Sequence, residues 1–89
     1  MKLKFTAVAL NDLKRLRNFI AVKNPDAARR YSERLQKSIK RLVDHPEMGK
    51  AIEEPIGVRE LVAGDYVVRY LVKTDMVYIL KIYHEKEDR

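Results

Sequence analysis

Apolar positions in this chain recur first at helical spacing and then, past residue 57, at every second position. Residues 2–6, KLKFT, alternate and predict a short first strand. Thr6 is placed to cap a helix from Ala7 to Lys23, whose Leu13, Leu16 and Ile20, with Ala9 and Phe19 beside them, follow the i, i+3, i+4 spacing of a half-buried helix. A second helix opens at NPDAARR, with Asn24 as cap, Pro25 at the first helical position and Asp26 against the positive end of the helix dipole. Its apolar stripe is Ala28, Tyr31, Leu35, Ile39 and Leu42. Arg30, Glu33, Arg34, Lys37, Lys40 and Arg41 face water or a partner, and Pro46 stops the helix. So short a join around Asn24 makes the two helices an antiparallel hairpin.

Residues 46–57, PEMGKAIEEPIG, predict a loop. Val58–Ala63, Tyr66–Lys73 and Met76–His84 then predict three strands rich in Val, Ile, Leu and Tyr, turned tightly at Gly64-Asp65 and Thr74-Asp75. The expected fold is α+β, ordered β-α-α-β-β-β, with a helical hairpin packed on one face of an antiparallel sheet and residues 1–89 forming one domain. Strand parity puts Tyr66, Val68, Tyr70 and Val72 toward the helices and Val67, Arg69, Leu71 and Lys73 away from them. In the last strand, strict alternation groups Met76, Tyr78, Leu80 and Ile82 against Val77, Ile79, Lys81 and Tyr83. The expected core includes Leu13, Leu16, Leu35, Leu42, Val68 and Tyr70. The other sheet face, valine and leucine interrupted by Arg69 and Lys81, reads as a partner site.

Composition narrows the function classes. Hydrophobic residues at 46% describe a globular chain, and no apolar run approaches the ~20 residues of a membrane span. The first six residues hold no signal-peptide core, and the absence of cysteine removes disulfide and thiol chemistry, so the expected location is cytoplasmic. Nineteen Lys and Arg against thirteen Asp and Glu give a net charge of +6, which favours an anionic partner: nucleic acid, a protein–nucleic acid complex or an acidic protein segment.

Candidate chemistry is sparse. His45 and His84 have no ligand-spaced carboxylates, so no metal site and no cofactor are expected. Three glycines form no phosphate loop, and Ser32 and Ser38 have no histidine at helical spacing. His84 reads either as a general acid–base group or as a polar residue ending a strand. Arg59 and Arg69 read either as forks for phosphate or carboxylate or as ion-pair partners of Glu60 or another carboxylate.

With the element order, three stretches resemble the ParE/RelE superfamily of toxins from bacterial type II toxin–antitoxin modules. NPDAARRYSERLQKSIKRLVDHPEMGK is similar to the helix-to-loop segment of ParE-type members, with its NP-x-A-A start and HP-x-M/L-G end. GVRELVAGDYVVRYLV is similar to their central hairpin, and VYILKIYHEKEDR to their last strand. The resemblance implies growth arrest by the free toxin, plasmid stabilization, and neutralization by a cognate antitoxin. It also implies one of two targets: ParE-like members poison DNA gyrase, and RelE-like members cleave messenger RNA on the ribosome without a metal.

The cations of the RelE-like pattern fall here on Val58, Glu60, Val67 and Glu85. A second ribonuclease subtype has a terminal histidine matching His84, but its partner arginine also falls on Val67. Stabilising charge that develops at phosphorus requires cations, which valine and glutamate cannot supply. The resemblance therefore points to a ParE-like gyrase inhibitor with no catalytic residue. The implied surface for target or partner is Arg59, Val67, Arg69, Lys81, Tyr83, His84, Lys86 and Arg89, with Val67 as a protein-contact residue. The alternatives are an mRNA endonuclease using His84 with Arg59 or Arg69 from one sheet face, and a non-toxic binding module of the same fold. Truncation beyond the last apolar alternation should cost little core burial, so His84, Lys86 and Arg89 are expected to serve toxicity more than folding.

Overall fold

The computed structural model describes residues 1–85, and the side chains of all of these but 19–23. The chain runs β1 (Lys2–Phe5), α1 (Ala7–Lys23), α2 (Pro25–Arg41), β2 (Lys50–Ala51), β3 (Val58–Ala63), β4 (Tyr66–Lys73) and β5 (Met76–His84). Both helices start at their predicted caps. The Thr6 hydroxyl accepts from the Ala9 N–H at 3.1 Å and the Asn24 side chain from the Ala27 N–H at 3.1 Å. Each cap satisfies an amide that no intrahelical bond reaches, worth about 1 kcal/mol. After α2 the His45 N–H donates back to the Arg41 carbonyl at 2.8 Å, just ahead of Pro46.

The strands form one sheet in the order β1-β5-β4-β3-β2. The β3-β4-β5 meander and both two-residue turns are as predicted: Ala63 pairs with Tyr66 and Lys73 with Met76. Two features differ from the sequence reading. β1 pairs with β5 in parallel, Leu3 opposite Val77 and Phe5 opposite Ile79, so the sheet is mixed and not wholly antiparallel. The predicted loop 46–57 also contains β2, which pairs antiparallel with β3 through Lys50–Glu60 and Ala51–Arg59. Two residues are too few to show an alternation.

The helical hairpin covers one sheet face. Leu16, Leu35, Ile39 and Leu42 bury against Val68, Tyr70, Val77, Ile79 and Ile82, with Leu13 packed partly buried beside them. Tyr31, read as part of the α2 stripe, is 43% exposed, because it sits on the shoulder of the helix and not over the sheet. The side chains of Phe19 and Ile20 lie outside the described residues.

A β-bulge in β5 breaks the strict alternation read from the sequence. Arg69 pairs with Lys81 while Tyr70 pairs with Ile79, leaving Leu80 as the extra residue. Val77 and Ile79 therefore face the core before the bulge and Ile82 faces it afterwards, all three fully buried. Helix α1 and its cap hold the bulge. The Thr6 N–H donates to the Ile79 carbonyl at 3.0 Å and the Thr6 hydroxyl to the Leu80 carbonyl at 3.1 Å. Beyond it, the Ile82 N–H donates to Asp12 Oδ2 at 3.0 Å. Asp12 is a buried charged residue whose other oxygen accepts from Arg15 at 3.4 Å.

Candidate target-binding face

With the bulge included, the sheet face away from the helices consists of cross-strand rows. Glu60, Arg69 and Lys81 form one row, Val62, Val67 and Tyr83 the next, and Val58, Leu71, Tyr78 and Lys4 lie on the other side of the charged row. Lys2, Lys50 and Lys73 add cations around this set, so among the described strand residues Glu60 is the one acid on this face. The loop after β2 folds over one end, where a Cβ built on Gly57 would lie 3.5 Å from Leu71 Cδ1.

The charged row is internally paired. Arg69 Nε donates to Glu60 Oε2 at 2.7 Å, and the Tyr83 hydroxyl donates to the same oxygen at 3.0 Å. The guanidinium lies over the Tyr83 ring, 5.7 Å from its centroid. The hydrogen bond to Glu60 raises the Arg69 pKa above its ordinary value, with Tyr83 adding to the effect. Tyr83 is 2% exposed and Val67 7%. Val67 is therefore not the open contact residue the sequence suggested: in the central strand it is walled in by Val62 and Tyr83, and Val62, at 64% exposed, presents the apolar surface of that row.

Arg59 lies on the other face. It pairs with Tyr70, and its guanidinium donates to the Gly49 carbonyl at 2.7 Å and the Glu47 carbonyl at 3.4 Å. Tyr70 holds the same loop: its hydroxyl accepts from the Gly49 N–H at 2.8 Å and donates to the Pro46 carbonyl at 2.7 Å. Burial pushes the Tyr70 pKa up, against the opposing effects of the Gly49 N–H and Arg59. A Cβ at position 49 would sit 2.6 Å from the Tyr70 ring and hydroxyl, so the HP-x-M-G stretch ends in glycine for lack of room.

His84 also lies on the helix side of the sheet, paired with Tyr66 and set edge-on to its ring at 5.4 Å between centroids. The expectation that Arg59 and Arg69 share a face is thus overturned, because Arg59 is one residue out of phase with Glu60, which pairs with Arg69. His84 and Arg69 are on opposite faces as well. His84 and Arg59 share a face but stand two strands and four residues apart, about 16 Å at ordinary sheet spacings. Of the sequence-derived site residues, Val67, Arg69, Lys81 and Tyr83 are brought together, and Arg59 and His84 are elsewhere. Lys86 and Arg89 lie outside the described residues.

Sequence reasoning missed Asp12 and the loop-holding role of Tyr70. An acid flanked by apolar Leu10 and Leu13 was the available signal for Asp12. Among the described residues no three His, Cys, Asp or Glu side chains gather as metal ligands, and no described helix is long and apolar enough to cross a membrane.

A helical hairpin on a mixed five-stranded sheet gives the chain the fold of the ParE/RelE toxins. A family profile described as the ParE toxin of the type II toxin–antitoxin system, parDE, matches residues 3–89, and the chain belongs to that family. Toxin RelE2 of Caulobacter vibrioides is 38% identical over 77 residues, covering 85% of each chain. Among solved structures, the chromosomal ParDE toxin–antitoxin system from P. aeruginosa superposes with a TM-score of 0.82 at 28% identity, over 94% of this chain and 95% of that one. The RelBE2 toxin–antitoxin complex from Mycobacterium tuberculosis superposes with a TM-score of 0.70 at 22% identity, over 93% and 95%, a likeness of fold.

Proposed function

We propose that this toxin acts as a ParE-like inhibitor of DNA gyrase, by binding and without making or breaking a bond. The observation that carries this reading is the dispersal of the candidate catalytic groups. Metal-free phosphodiester cleavage needs cations converging on one phosphate, and losing a single such group costs about a hundredfold or more in rate. Here Arg69 is engaged by Glu60 and Tyr83, Arg59 is spent on loop carbonyls on the opposite face, and His84 is distant from both. The outer face instead offers the Glu60–Arg69–Lys81 row beside exposed Val62, a mixture suited to protein contact. Purified protein is expected to inhibit gyrase supercoiling and to leave ribosome-bound messenger RNA uncut. Expressed alone, it is expected to arrest growth with a DNA-damage response that precedes any fall in translation. Codon-phased cleavage abolished by His84→Ala would instead establish the RelE-like reading, the second choice, which the relative named Toxin RelE2 favours. A protein that did neither would be a binding module of the same fold.

The partner in the cell is, on this reading, a cognate antitoxin in the cytoplasm. The solved ParDE system and RelBE2 complex are toxin–antitoxin assemblies, which supports such a partner here. A segment that folds on binding can wrap a large area of so small a protein, and acidic residues in it would speed encounter with a chain of net charge +6.

A further inference from the structure

Helix α2 carries a row of cations that the outer sheet face does not use. Arg30, Arg34, Lys37 and Arg41 recur at i, i+4, i+7 and i+11, which keeps them within about 60° of the helix circumference along about 16 Å of its length. All four are exposed, on the side of α2 away from its buried Leu35 and Ile39. Among the described residues none of the four makes an ion pair, whereas Asp12 takes Arg15, Asp26 takes Arg29 and Glu60 takes Arg69. One flank of the row forms the wall of a groove of about 470 Å³ between α2 and the β3–β4 turn, with Tyr31 and Ser38 hydroxyls on the same wall and Asp65 opposite. Glu33 stands on the row's other flank.

We propose that this row is a binding site for the phosphate backbone of duplex DNA. Over 16 Å of duplex rise one strand carries about five phosphates, close to the four cations available. Arginine, lysine and tyrosine or serine hydroxyls are the groups that contact phosphates. Tyr31 is the exposed aromatic beside the row, and the row itself holds cations alone, the groups that neutralise successive phosphates along a backbone. Asp65 disfavours an anion at the far wall, which places the strand along the helix and not deep in the groove. The site is separate from the outer sheet face and does not depend on which enzyme the toxin inhibits.

The test is direct binding of the full chain to a fluorescent 20-bp duplex of mixed sequence, with no gyrase present, from 50 to 200 mM salt. Four phosphate contacts predict a log–log slope of about −3.5 and roughly a hundredfold loss of affinity across that range. Arg30→Gln/Arg34→Gln/Lys37→Gln/Arg41→Gln should lose most of the affinity and nearly all of the slope. Lys2→Gln/Lys4→Gln/Lys50→Gln/Lys73→Gln removes the same charge from the outer sheet face and should retain both. If the fourfold α2 variant is poorly folded, Arg34→Gln/Lys37→Gln should halve the slope. Equal weakening by both fourfold variants would show a response to net charge alone and overturn the proposal. So would an α2 variant that binds like the wild type, or a wild type that binds a glutamate-rich 20-residue peptide but not the duplex at 50 mM salt. Gyrase inhibition is measured separately, so either proposal can fail alone.

Discussion

The Tyr70 ring fills the centre of the core while its hydroxyl ties down residues 46–49. Tyr70→Phe keeps the ring and strands the Gly49 N–H and the Pro46 carbonyl. An unsatisfied buried group costs about 1–3 kcal/mol, so the melting temperature should fall by roughly 4–8 °C for each kcal/mol lost. The same hydroxyl makes stability depend on pH. Burial raises its pKa in the folded chain, so the folded state holds this proton more tightly than the unfolded state does. That contribution is complete below the ordinary tyrosine pKa of about 10 and is lost as pH rises through the higher folded value. Alkaline denaturation should show this loss in the wild type and lack it in Tyr70→Phe. Thr74 is a second residue-scale case: it is exposed and opens the β4–β5 turn at φ 57, where a β-branched side chain is strained. Thr74→Asn should stabilise the protein by about 0.5–1 kcal/mol, read as a rise of several degrees in melting temperature.

Between elements, the informative contact is Asp12 of α1 with the Ile82 amide of β5. The bulge at Leu80 resets which side chains of β5 face the core, and its backbone groups are satisfied from α1 and its cap, through Thr6 and Asp12. Helix and strand therefore fix each other's register. Asp12→Ala should cost about 1–3 kcal/mol by leaving the Ile82 N–H unpaired. Asp12→Asn, which keeps an acceptor oxygen, should recover part of the loss. Hydrogen exchange at the Ile82 amide separates this account from a general loss of helix stability: exchange there should speed up more than at Val68, in the neighbouring strand.

At the scale of the whole molecule, positive charge covers both the outer sheet face and the exposed side of α2. An acidic antitoxin segment should associate quickly at low salt and more slowly as salt rises, with a smaller change in its dissociation rate. Stopped-flow association at 50 and 300 mM salt measures this. Equal association rates at both would refute electrostatic steering.

Local chemistry in the chain determined the helices, their caps, the β3-β4-β5 meander and most of the core. Caps, turn residues and hydrophobic period are each written within a few neighbouring residues: Asn24-Pro25-Asp26, Gly64-Asp65 and the alternation Tyr66, Val68, Tyr70 are examples. The basic row of α2 was legible for the same reason, as a helical spacing of charges. The parallel pairing of β1 with β5 was not, because a strand partner more than seventy residues away leaves no local trace. The bulge at Leu80 was hidden because one extra residue changes no composition and reverses every side chain beyond it. Parity in β3 decided which face each candidate cation takes. One step of register puts Arg59 on the helix side of the sheet as an anchor for residues 47–49 and Glu60 on the outer face as the partner of Arg69, and pairing across strands alone fixes that step.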